Sequence, residues 1–364
     1  MRVGVPAEVK PDERRVAVTP AGVLELTSRG HDVWVEHDAG AGAGHPDAAY
    51  ERVGARIGEA DACWGCDLVV KVKEPQPSEY GFLHDDQILF TYLHLAAAPG
   101  VAAALQRAGT VALGYETVED AQGRLPLLAP MSEVAGRLAV QAGAHHLEGP
   151  HGGRGVLLGG VAGVAPARVT IIGAGIVGTR AATVASGMGA RVTLLDRDTA
   201  RLRSLEMTPL GERASLLYST RLSVAECVAE SDLVVGAVLL PGARAPRVVG
   251  ADVIAAMRPG SVVVDVSVDQ GGCIETTRPT THSDPVFTVD GVVHYCVANM
   301  PAAVPVTATA ALANATLPYV LRIADAGLAA SLRDDPGLAR GLNVRHGQVV
   351  NITVAAALQG TDAA

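Results

Sequence analysis

The sequence is poor in aromatic residues and cysteine, and each shortage narrows what the chain can be. Aromatic residues are 3% of the 364 positions, so its cores must be built from valine, alanine, leucine and isoleucine. That composition favours α/β layers, in which buried parallel strands are runs of branched aliphatic residues. The five cysteines are an odd number scattered along the chain (Cys63, Cys66, Cys227, Cys273 and Cys296), which argues against a disulfide framework.

Two further absences exclude classes of partner. The formal net charge is -9 and no concentrated basic face is present, so nucleic acid is not an expected partner. The longest uncharged stretches, 156–167 and 306–321, are too short or too rich in Gly, Thr and Pro to span a bilayer. The amino terminus also lacks the apolar core of a secretory signal. We therefore expect a soluble, cytoplasmic protein without a membrane partner.

The first block of the chain, to about residue 128, alternates short aliphatic runs with helical patterns. The runs predict strands at 2–6, 32–37, 68–73, 88–93 and 111–116. Thr19 followed by Pro20 predicts the start of a helix that closes at Gly30. Strands that alternate with helices indicate a parallel sheet.

A second series of strands and helices follows a helical pattern and a glycine-rich passage. It predicts strands at 169–173, 191–196, 233–238, 262–267 and 293–299. From Pro305 a long helix and a short tail remain, and their apolar faces need the first block as a partner. We expect an α/β protein with two parallel sheets: a discontinuous domain, 1–128 plus 305–364, around a second domain, 129–304.

The strongest motif is Gly-Ala-Gly-Ile-Val-Gly, which follows the predicted strand at 169–173 and opens a helix. Gly173 permits a tight turn, Gly175 lets backbone approach a pyrophosphate, and Gly178 allows close packing of helix on strand. Asp196 ends the next predicted strand, where a carboxylate binds the adenosine ribose hydroxyls and repels a 2′-phosphate. The motif therefore predicts a Rossmann-like domain that binds NAD rather than NADP, although Arg197 and Arg201 nearby could soften that choice. A glycine-rich turn that binds nothing is the disfavoured alternative.

Three ionisable residues fall just beyond predicted strands of the first block. They are Arg15, Lys73 and His94. Because ligands bind outside the carboxyl ends of parallel strands, the three predict a small site with two cations and one imidazole. Such groups suit a carboxylate, a polarised carbonyl oxygen and proton transfer. Each also has a structural alternative: a surface ion pair of Arg15 with Asp12 or Glu13, a solvated strand end for Lys73, and a helix cap for His94.

Two other groupings are weaker candidates. Cys63 and Cys66 have the spacing of a redox pair, but they lie in a predicted helix with no second pair for zinc. His145 and His146 with His151 are better explained as surface or interface histidines, since we find no flanking cysteine or acidic ligand. The sequence therefore predicts no metal.

Several long strings resemble those of the L-alanine dehydrogenase family. They include PAEVKPDERRVAVTPAGV, LVVKVKEP, ILFTYLHLA, GGRGVLLGGVAGV, VVVDVSVDQGGCIETTRPTTH and YCVANMPAAVP, and they recur in order to about residue 319. The resemblance implies two Rossmann-like domains, with the substrate domain split around the NAD domain, in a homohexamer. It implies that Arg15 and Lys73 hold the substrate, that His94 is the general acid/base, and that Asp269 is the second catalytic residue.

The resemblance also implies a set of NAD-binding residues beyond the glycine motif. They are Ser132, Ile176, Val177, Asp196, Arg201, Ser219, Val238, Leu239, Val266, Ser267, Val268, Asp269, Arg278, Val297, Ala298, Asn299 and Met300. The segment before Ser219 aligns loosely, and no functional residue is carried over beyond residue 321. The implied reaction is reversible oxidative deamination of L-alanine to pyruvate and ammonium.

Three alternatives remain open at this stage. The NAD(H)-binding subunit of a proton-translocating transhydrogenase shares both domains, but hydride exchange between cofactors needs no acid/base pair. A dehydrogenase of a larger amino acid has a similar domain plan. A non-enzymatic NAD sensor or scaffold would leave Arg15, Lys73 and His94 without a role.

Overall fold

The computed structural model describes residues 1–238 and 245–361 and separates into two compact units. The first unit comprises Met1–Met131 and Ala302–Ala364, and the second comprises Ser132–Pro301. Each unit has its own sheet and its own apolar core. No helix among these residues is both long and apolar enough to cross a membrane.

The amino-terminal part of the first unit contains six strands and four α-helices. The strands are β1 (Arg2–Val5), β2 (Asp32–Glu36), β3 (Arg56–Gly58), β4 (Leu68–Val70), β5 (Ile88–Thr91) and β6 (Val111–Gly114). The α-helices are α1 (Pro20–Ser28), α2 (Asp47–Glu51), α3 (Ala60–Trp64) and α4 (Pro99–Ala108). Short 3-10 helices lie at Ala41–Ala43, Pro77–Phe82, Leu95–Ala97 and Tyr115–Thr117.

The next part of the chain builds the second unit. Its α-helices are α5 (Ala129–His146), α6 (Ile176–Gly187), α7 (Thr199–Glu206), α8 (Arg221–Ala229) and α9 (Ala251–Ala255). Its strands are β7 (Arg168–Ile172), β8 (Arg191–Asp196), β9 (Ala214–Tyr218), β10 (Leu233–Gly236), β11 (Val262–Asp265), β12 (Val286–Val289) and β13 (Val292–Tyr295). The 3-10 helices are Gly149–His151, Val268–Gln270 and Met300–Ala303.

The carboxyl-terminal part returns to the first unit. It contains α10 (Pro305–Ala326), α11 (Leu328–Asp334), α12 (Pro336–Arg340), β14 (Leu342–Arg345), β15 (Gln348–Val349) and α13 (Ile352–Thr361). Helix α10 packs against α1, as the sequence requires of its apolar face. Thr19 caps α1, because its side chain accepts a hydrogen bond from the Gly22 amide.

Both sheets are mostly parallel. The first has the strand order β15-β14-β6-β5-β4-β1-β2-β3, in which β14 pairs antiparallel with β6 and β15. The second has the order β12-β13-β11-β10-β7-β8-β9, in which β12 alone is antiparallel to its neighbour. The α/β class with two Rossmann-like sheets is therefore confirmed, and each sheet gains an antiparallel edge that the sequence does not predict.

The strands that the sequence misses are short or exposed. They are β3, β9, β12, β14 and β15. Strand β9 is an edge strand with several exposed side chains, so its pattern lacks the continuous apolar run of β7 or β11. The predicted strand at 68–73 is too long, since β4 ends at Val70 and the backbone bends at Val72 and Lys73.

Candidate active site

The three predicted substrate residues follow three neighbouring strands of the first sheet. Arg15 lies in the loop after β1, Lys73 follows β4 and His94 follows β5. Strand β4 pairs in parallel with both β1 and β5, so the carboxyl ends of all three strands lie at one edge. The sheet therefore directs the three segments to the same edge of the first unit.

Arg15 is held rigidly by a buried carboxylate. Its Nε and Nη2 donate to the Glu13 oxygens at 2.7 and 2.5 Å, and its Nη1 donates to the Met131 sulfur at 3.0 Å. Burial lowers the pKa of Arg15, but the hydrogen bond and charge of Glu13 outweigh burial and raise that pKa overall. Arg15 does form an ion pair with Glu13. The expectation that this pair lies on the surface is wrong, because Arg15 is only 2% exposed.

Lys73 is positioned through its backbone. Its amide lies 3.4 Å from both oxygens of Glu8, and its carbonyl accepts from the Thr91 hydroxyl at 2.9 Å. The Lys73 ammonium lies 3.8 Å from a Glu74 oxygen. The residue is 8% exposed, so the interpretation as a solvated strand end is wrong.

A buried lysine stands behind this arrangement. Lys71 donates to Glu79 at 2.7 Å, lies 3.3 Å from a Glu8 oxygen and faces the Trp64 ring. Burial raises the pKa of Glu8, and the charge of Lys71 opposes that rise. Glu8 in turn accepts from the Val72 amide at 2.6 Å, so Lys71 stabilises the carboxylate that orients the segment leading to Lys73.

His94 has a left-handed backbone, with φ of 48°, and an exposed side chain. Its amide donates to Glu116 Oε1 at 2.7 Å, and the Leu93 amide lies 3.2 Å from both Glu116 oxygens. The imidazole stacks on Tyr92, whose hydroxyl donates to the Leu127 carbonyl at 2.6 Å. His94 precedes the helix Leu95–Ala97, but its side chain makes no capping bond, contrary to the cap alternative.

In the second unit, the glycine motif lies where the sheet order reverses. Strand β7 has β8 on one side and β10 on the other. Gly173 has φ of 104°, and a Cβ on Gly178 would lie 1.7 Å from the Gly173 carbonyl oxygen. A Cβ on Gly175 would meet nothing within 4 Å, so open space lies beside the amino end of α6. This geometry fits a dinucleotide pyrophosphate.

Asp196 ends β8 next to this motif. Its Oδ2 accepts from the Ala174 amide at 2.6 Å, and its Oδ1 accepts from the Asp198 amide at 2.8 Å. Arg201 Nη1 lies 3.7 Å from Oδ2. The carboxylate thus shapes the glycine loop as well as offering oxygens for a ribose.

Asp269 lies after β11 in the short helix Val268–Gln270 and is exposed. Its Oδ2 accepts from the Asn299 amide at 3.1 Å, which joins two of the predicted cofactor segments. Asp265, at the end of β11, is buried and accepts from the Ser267 and Cys273 amides at 2.9 Å each. Burial raises the pKa of Asp265, and these hydrogen bonds oppose the rise.

The remaining predicted cofactor residues follow the strands of the second sheet. Ser219 comes after β9 and donates its amide to the Asp196 carbonyl at 2.9 Å, while Val238 comes after β10. The run 297–300 follows β13, and Thr280, close to Arg278, pairs its backbone with Val297. The Arg278 guanidinium lies over the Phe287 ring.

The others lie on helices. Ser132 is in α5, four residues before Gly136, where a Cβ would lie 2.3 Å from the Val177 carbonyl oxygen. Ile176 and Val177 open α6, and Arg201 is in the first turn of α7. Leu239 lies outside the described residues.

The two weaker candidates have different outcomes. Burial raises the pKa of Cys63 to about 12 and of Cys66 to about 11, which disfavours the reactive thiolate. The three histidines, in contrast, have an acidic neighbour. Glu148 lies within 4.0 Å of His145 and 3.7 Å of His151, so the statement that no acidic ligand flanks them is wrong.

Sequence reasoning missed the carboxylates that position the site. Glu8 and Glu116 accept hydrogen bonds from backbone amides that are far from them in the sequence, and no local sequence pattern indicates this pairing. Glu13 appeared only as a surface partner of Arg15. Their signal would have been an acidic residue in a loop at the same sheet edge as a predicted cation.

Comparisons with known proteins cover nearly the whole chain. Residues 4–135 match the model described as alanine dehydrogenase/PNT, N-terminal domain, and residues 139–352 match that of the C-terminal domain. The chain is 54% identical to the alanine dehydrogenase of Halomonas elongata, over 98% of this chain and 96% of that protein. It is 53% identical to the alanine dehydrogenase of Mycobacterium tuberculosis, with the same coverage of both.

Two solved structures match nearly the whole chain. An L-alanine dehydrogenase matches with a TM-score of 0.95 and 51% identity, over 99% of each chain. A transhydrogenase from Sinorhizobium meliloti matches with a TM-score of 0.83 and 27% identity, over 97% of this chain and 99% of that one. The transhydrogenase is the more distant of the two.

Proposed function

The chain belongs to the alanine dehydrogenase/PNT family, and we propose that it catalyses the reversible NAD-dependent oxidative deamination of L-alanine to pyruvate and ammonium. The observation that carries this proposal is the identity of about half of all positions with alanine dehydrogenases over 98% of the chain. It is supported by Arg15, Lys73 and His94 at one edge of the first sheet.

Arg15 and Lys73 are proposed to bind the substrate. Arg15 is fixed by Glu13, and its Nη1 donates to the Met131 thioether, which is a weak acceptor. A substrate carboxylate is a far stronger acceptor for a guanidinium. Lys73 supplies a second cation, which polarises the oxygen of pyruvate when ammonia adds.

His94 is proposed to carry protons. Oxidation of alanine needs a neutral amine, and water must then add to the iminium carbon before ammonia leaves. An exposed imidazole stacked on Tyr92 can accept and return those protons. Asp269 is proposed as the second catalytic residue, held by the Asn299 amide.

NAD is proposed to bind the second unit. Gly173, Gly175 and Gly178 would hold the pyrophosphate, and Asp196 the adenosine ribose, which disfavours NADP. The segments after β10, β11 and β13 would hold the nicotinamide end, with Ser132, Arg201, Ser219 and Arg278 among the other contacts. When bound, NAD would supply the acceptor for the hydride that leaves the alanine Cα.

Two other functions are less well supported. A transhydrogenase-like subunit is disfavoured because that relative is the more distant, and because hydride exchange between cofactors does not need His94. A dehydrogenase of a larger amino acid shares the reaction, and substrate specificity distinguishes it from the proposed enzyme.

The test follows the absorbance of reduced nicotinamide with NAD and L-alanine, then with NADH, pyruvate and ammonium. We expect turnover in both directions and none with D-alanine or L-lysine. Tight NADH binding without turnover of alanine would contradict the proposal and favour the transhydrogenase-like or sensor function. Turnover of lysine in place of alanine would favour the larger substrate.

The matched variants are His94→Ala and His84→Ala. His84 is another exposed histidine of the first unit, and its Nδ1 donates to the Asp85 carbonyl oxygen at 3.1 Å. We expect loss of turnover for His94→Ala and wild-type turnover for His84→Ala. Removal of a general acid/base typically costs about 10²- to 10⁴-fold in rate.

We also propose a cytoplasmic location and a homohexamer. The location is supported by the five cysteines, all within the described residues, which are free thiols. The assembly is supported by family membership, and light scattering of the purified protein tests it.

A further inference from the structure

Two histidines and a glutamate cluster at the carboxyl end of α5, apart from every residue proposed above. His145 lies in the last turn of α5, Glu148 follows it, and His151 ends the short helix Gly149–His151. The Glu148 amide donates to the His145 carbonyl at 3.2 Å, and the His151 amide donates to the Glu148 carbonyl at 3.1 Å. Residues three apart in such turns place their side chains on one side, so the backbone itself builds the cluster.

The side-chain distances are those of a set of metal ligands. Glu148 Oε2 lies 4.0 Å from His145 Nδ1 and 3.7 Å from His151 Nε2. One ligand atom of each residue lies within 4.8 Å of the other two. Ligands at about 2.1 Å from a tetrahedral Zn²⁺ are about 3.4 Å apart, so small side-chain rotations suffice. All three residues are exposed, so an ion can reach them from solvent.

The turn that carries the ligands is fixed by close backbone packing. The Gly153 amide also donates to the Glu148 carbonyl at 3.1 Å, and a Cβ on Gly153 would lie 2.2 Å from the His146 carbonyl oxygen. The carbonyl end of α5 favours a positive charge nearby. His146 borders the cluster, since its ring centroid lies 5.1 Å from that of His145 and 5.5 Å from that of Tyr295 on β13.

We propose that His145, Glu148 and His151 bind one divalent transition-metal ion, such as Zn²⁺ or Ni²⁺, with water completing the coordination. Two imidazoles and one carboxylate suit these ions, whereas Mg²⁺ and Ca²⁺ prefer oxygen ligands alone. Because the ligands are not part of the proposed active site, the ion stabilises the turn 145–151 and takes no part in the reaction. The alternative is a surface cluster held by histidine–carboxylate contacts alone.

The test uses the full-length protein without an affinity tag, stripped of metal by a chelator. Titration with Zn²⁺ by calorimetry, and with Co²⁺ by visible absorption, should each show one saturable site per chain. His145→Ala, Glu148→Gln and His151→Ala should each weaken binding by at least about tenfold, since even loss of an outer-shell partner typically costs that much. The melting temperature of the wild type, and not that of the variants, should rise on addition of Zn²⁺.

The matched control is His37→Ala. His37 Nδ1 lies 2.7 Å from Asp47 Oδ2, beside Asp38, in a surface cluster of the first unit that offers one imidazole and two carboxylates rather than two imidazoles. It should leave the titrations unchanged. The absence of saturable binding in the wild type would overturn the proposal, as would binding lost in His37→Ala and retained in His151→Ala. In chelator, all variants should have the same melting temperature as the wild type, because the substituted residues are exposed. This result would show that each variant folds.

Discussion

The left-handed backbone of His94 is maintained by one carboxylate. Outside glycine this conformation is uncommon, and it persists where the surroundings favour it. Glu116 accepts hydrogen bonds from the amides of His94 and Leu93, so it fixes two residues of the segment that follows β5. Glu116 is therefore a positioning residue for the proposed proton carrier.

We predict that Glu116→Ala lowers kcat for L-alanine by about 10²-fold, because a misplacement of about 1 Å can cost that much. The kcat of Glu116→Gln should lie between those of Glu116→Ala and the wild type, since the glutamine amide oxygen can still accept one hydrogen bond. Steady-state kinetics with NAD and L-alanine provide the measurement. An unchanged kcat in Glu116→Ala would show that the imidazole does not depend on this carboxylate.

The control for Glu116 is Glu119→Gln. Glu119 lies on the same connection and accepts from Arg340 at 2.5 Å, in an ion pair whose arginine is largely exposed. Exposed ion pairs contribute about 0–1 kcal/mol to stability. Glu119→Gln should therefore retain both activity and thermal stability.

At the scale of the element, the turn from β7 into α6 assigns different roles to its glycines. Gly178 is required by packing, since any Cβ there would overlap the Gly173 carbonyl. Gly175 has open space around its Cα and an extended backbone that alanine also adopts. The shape of the turn therefore does not require glycine at position 175, whereas the close approach of a phosphate does.

We predict that Gly175→Ala leaves the free energy of unfolding nearly unchanged and raises the KM for NAD by at least about tenfold, a loss of about 1.4 kcal/mol. Gly178→Ala should lower stability, because the backbone must move to admit the new methyl group. The measurements are denaturant unfolding and the KM for NAD at saturating L-alanine. A wild-type KM for NAD in Gly175→Ala would show that the pyrophosphate does not bind at this turn.

Gly187→Ala is the matched control at the other end of α6. A Cβ there also meets nothing within 4 Å, and its position is helical. Alanine is favoured over glycine in a helix by about 0.5–1 kcal/mol, so this variant should be slightly more stable. Its KM for NAD should equal that of the wild type.

The elements also show what sequence alone can predict. Strands such as β7 and β11 are continuous aliphatic runs between turn residues, and both were predicted near their observed bounds. Strand β14 is not such a run, since its sequence is Leu-Asn-Val-Arg, and it lies between β15 and β6 in the first sheet. Likewise Arg15, Lys73 and His94 stand at strand ends that a parallel sheet aligns, whereas the carboxylate of Glu116 reaches the His94 amide across 22 residues. The periodicity of apolar residues predicts strands and helices. Only the tertiary structure shows which carboxylate accepts a hydrogen bond from which backbone amide.

At the scale of the whole molecule, each unit must remain folded while it holds buried charge. In the first unit, fully buried Lys71 lies between Glu8 and Glu79. Burial lowers the pKa of Lys71, and the two carboxylates outweigh burial and raise it overall. Removal of the cation would leave two carboxylates buried without their counter-charge.

We predict that Lys71→Met lowers the free energy of unfolding by about 3–5 kcal/mol at neutral pH. Lys10→Met is the control, because Lys10 pairs with Glu74 but its side chain is 32% exposed, and it should change stability by at most about 1 kcal/mol. Denaturant titration provides the measurement. Adding Glu79→Gln to Lys71→Met should restore part of the loss, and a double variant no better than the single one would contradict this account.

The loss should depend on pH in a defined direction. Burial raises the folded-state pKa of Glu8 above its ordinary value of 4.5, so the associated stability is fully present below that value and is lost as pH rises through the folded pKa. Without Lys71 the folded pKa rises further. The deficit of Lys71→Met should therefore be largest at neutral pH and become smaller toward acid pH.

Activity should also depend on pH. Deamination releases a proton and needs a neutral amine, so we predict that its rate rises between about pH 6 and pH 10 and that His94 carries the proton. At alkaline pH, burial raises the pKa of Cys66 to about 11 and of Cys63 to about 12, so unfolding is favoured above their ordinary value of 9.0, near the upper end of this range. Toward acid pH, burial lowers the pKa of His146 and His294, so unfolding is favoured below their ordinary value of 6.5.

Rate and stability must therefore be measured together at each pH, with initial rates for alanine beside thermal melts of the same samples. A rate that falls toward acid pH while the melting temperature stays constant reflects the chemistry and not the fold. Reductive amination of pyruvate consumes a proton, so its optimum should lie at lower pH than that of deamination. A deamination rate that stays flat across the range in a protein that remains folded would count against His94 as the proton carrier, because no titrating group would then limit the reaction.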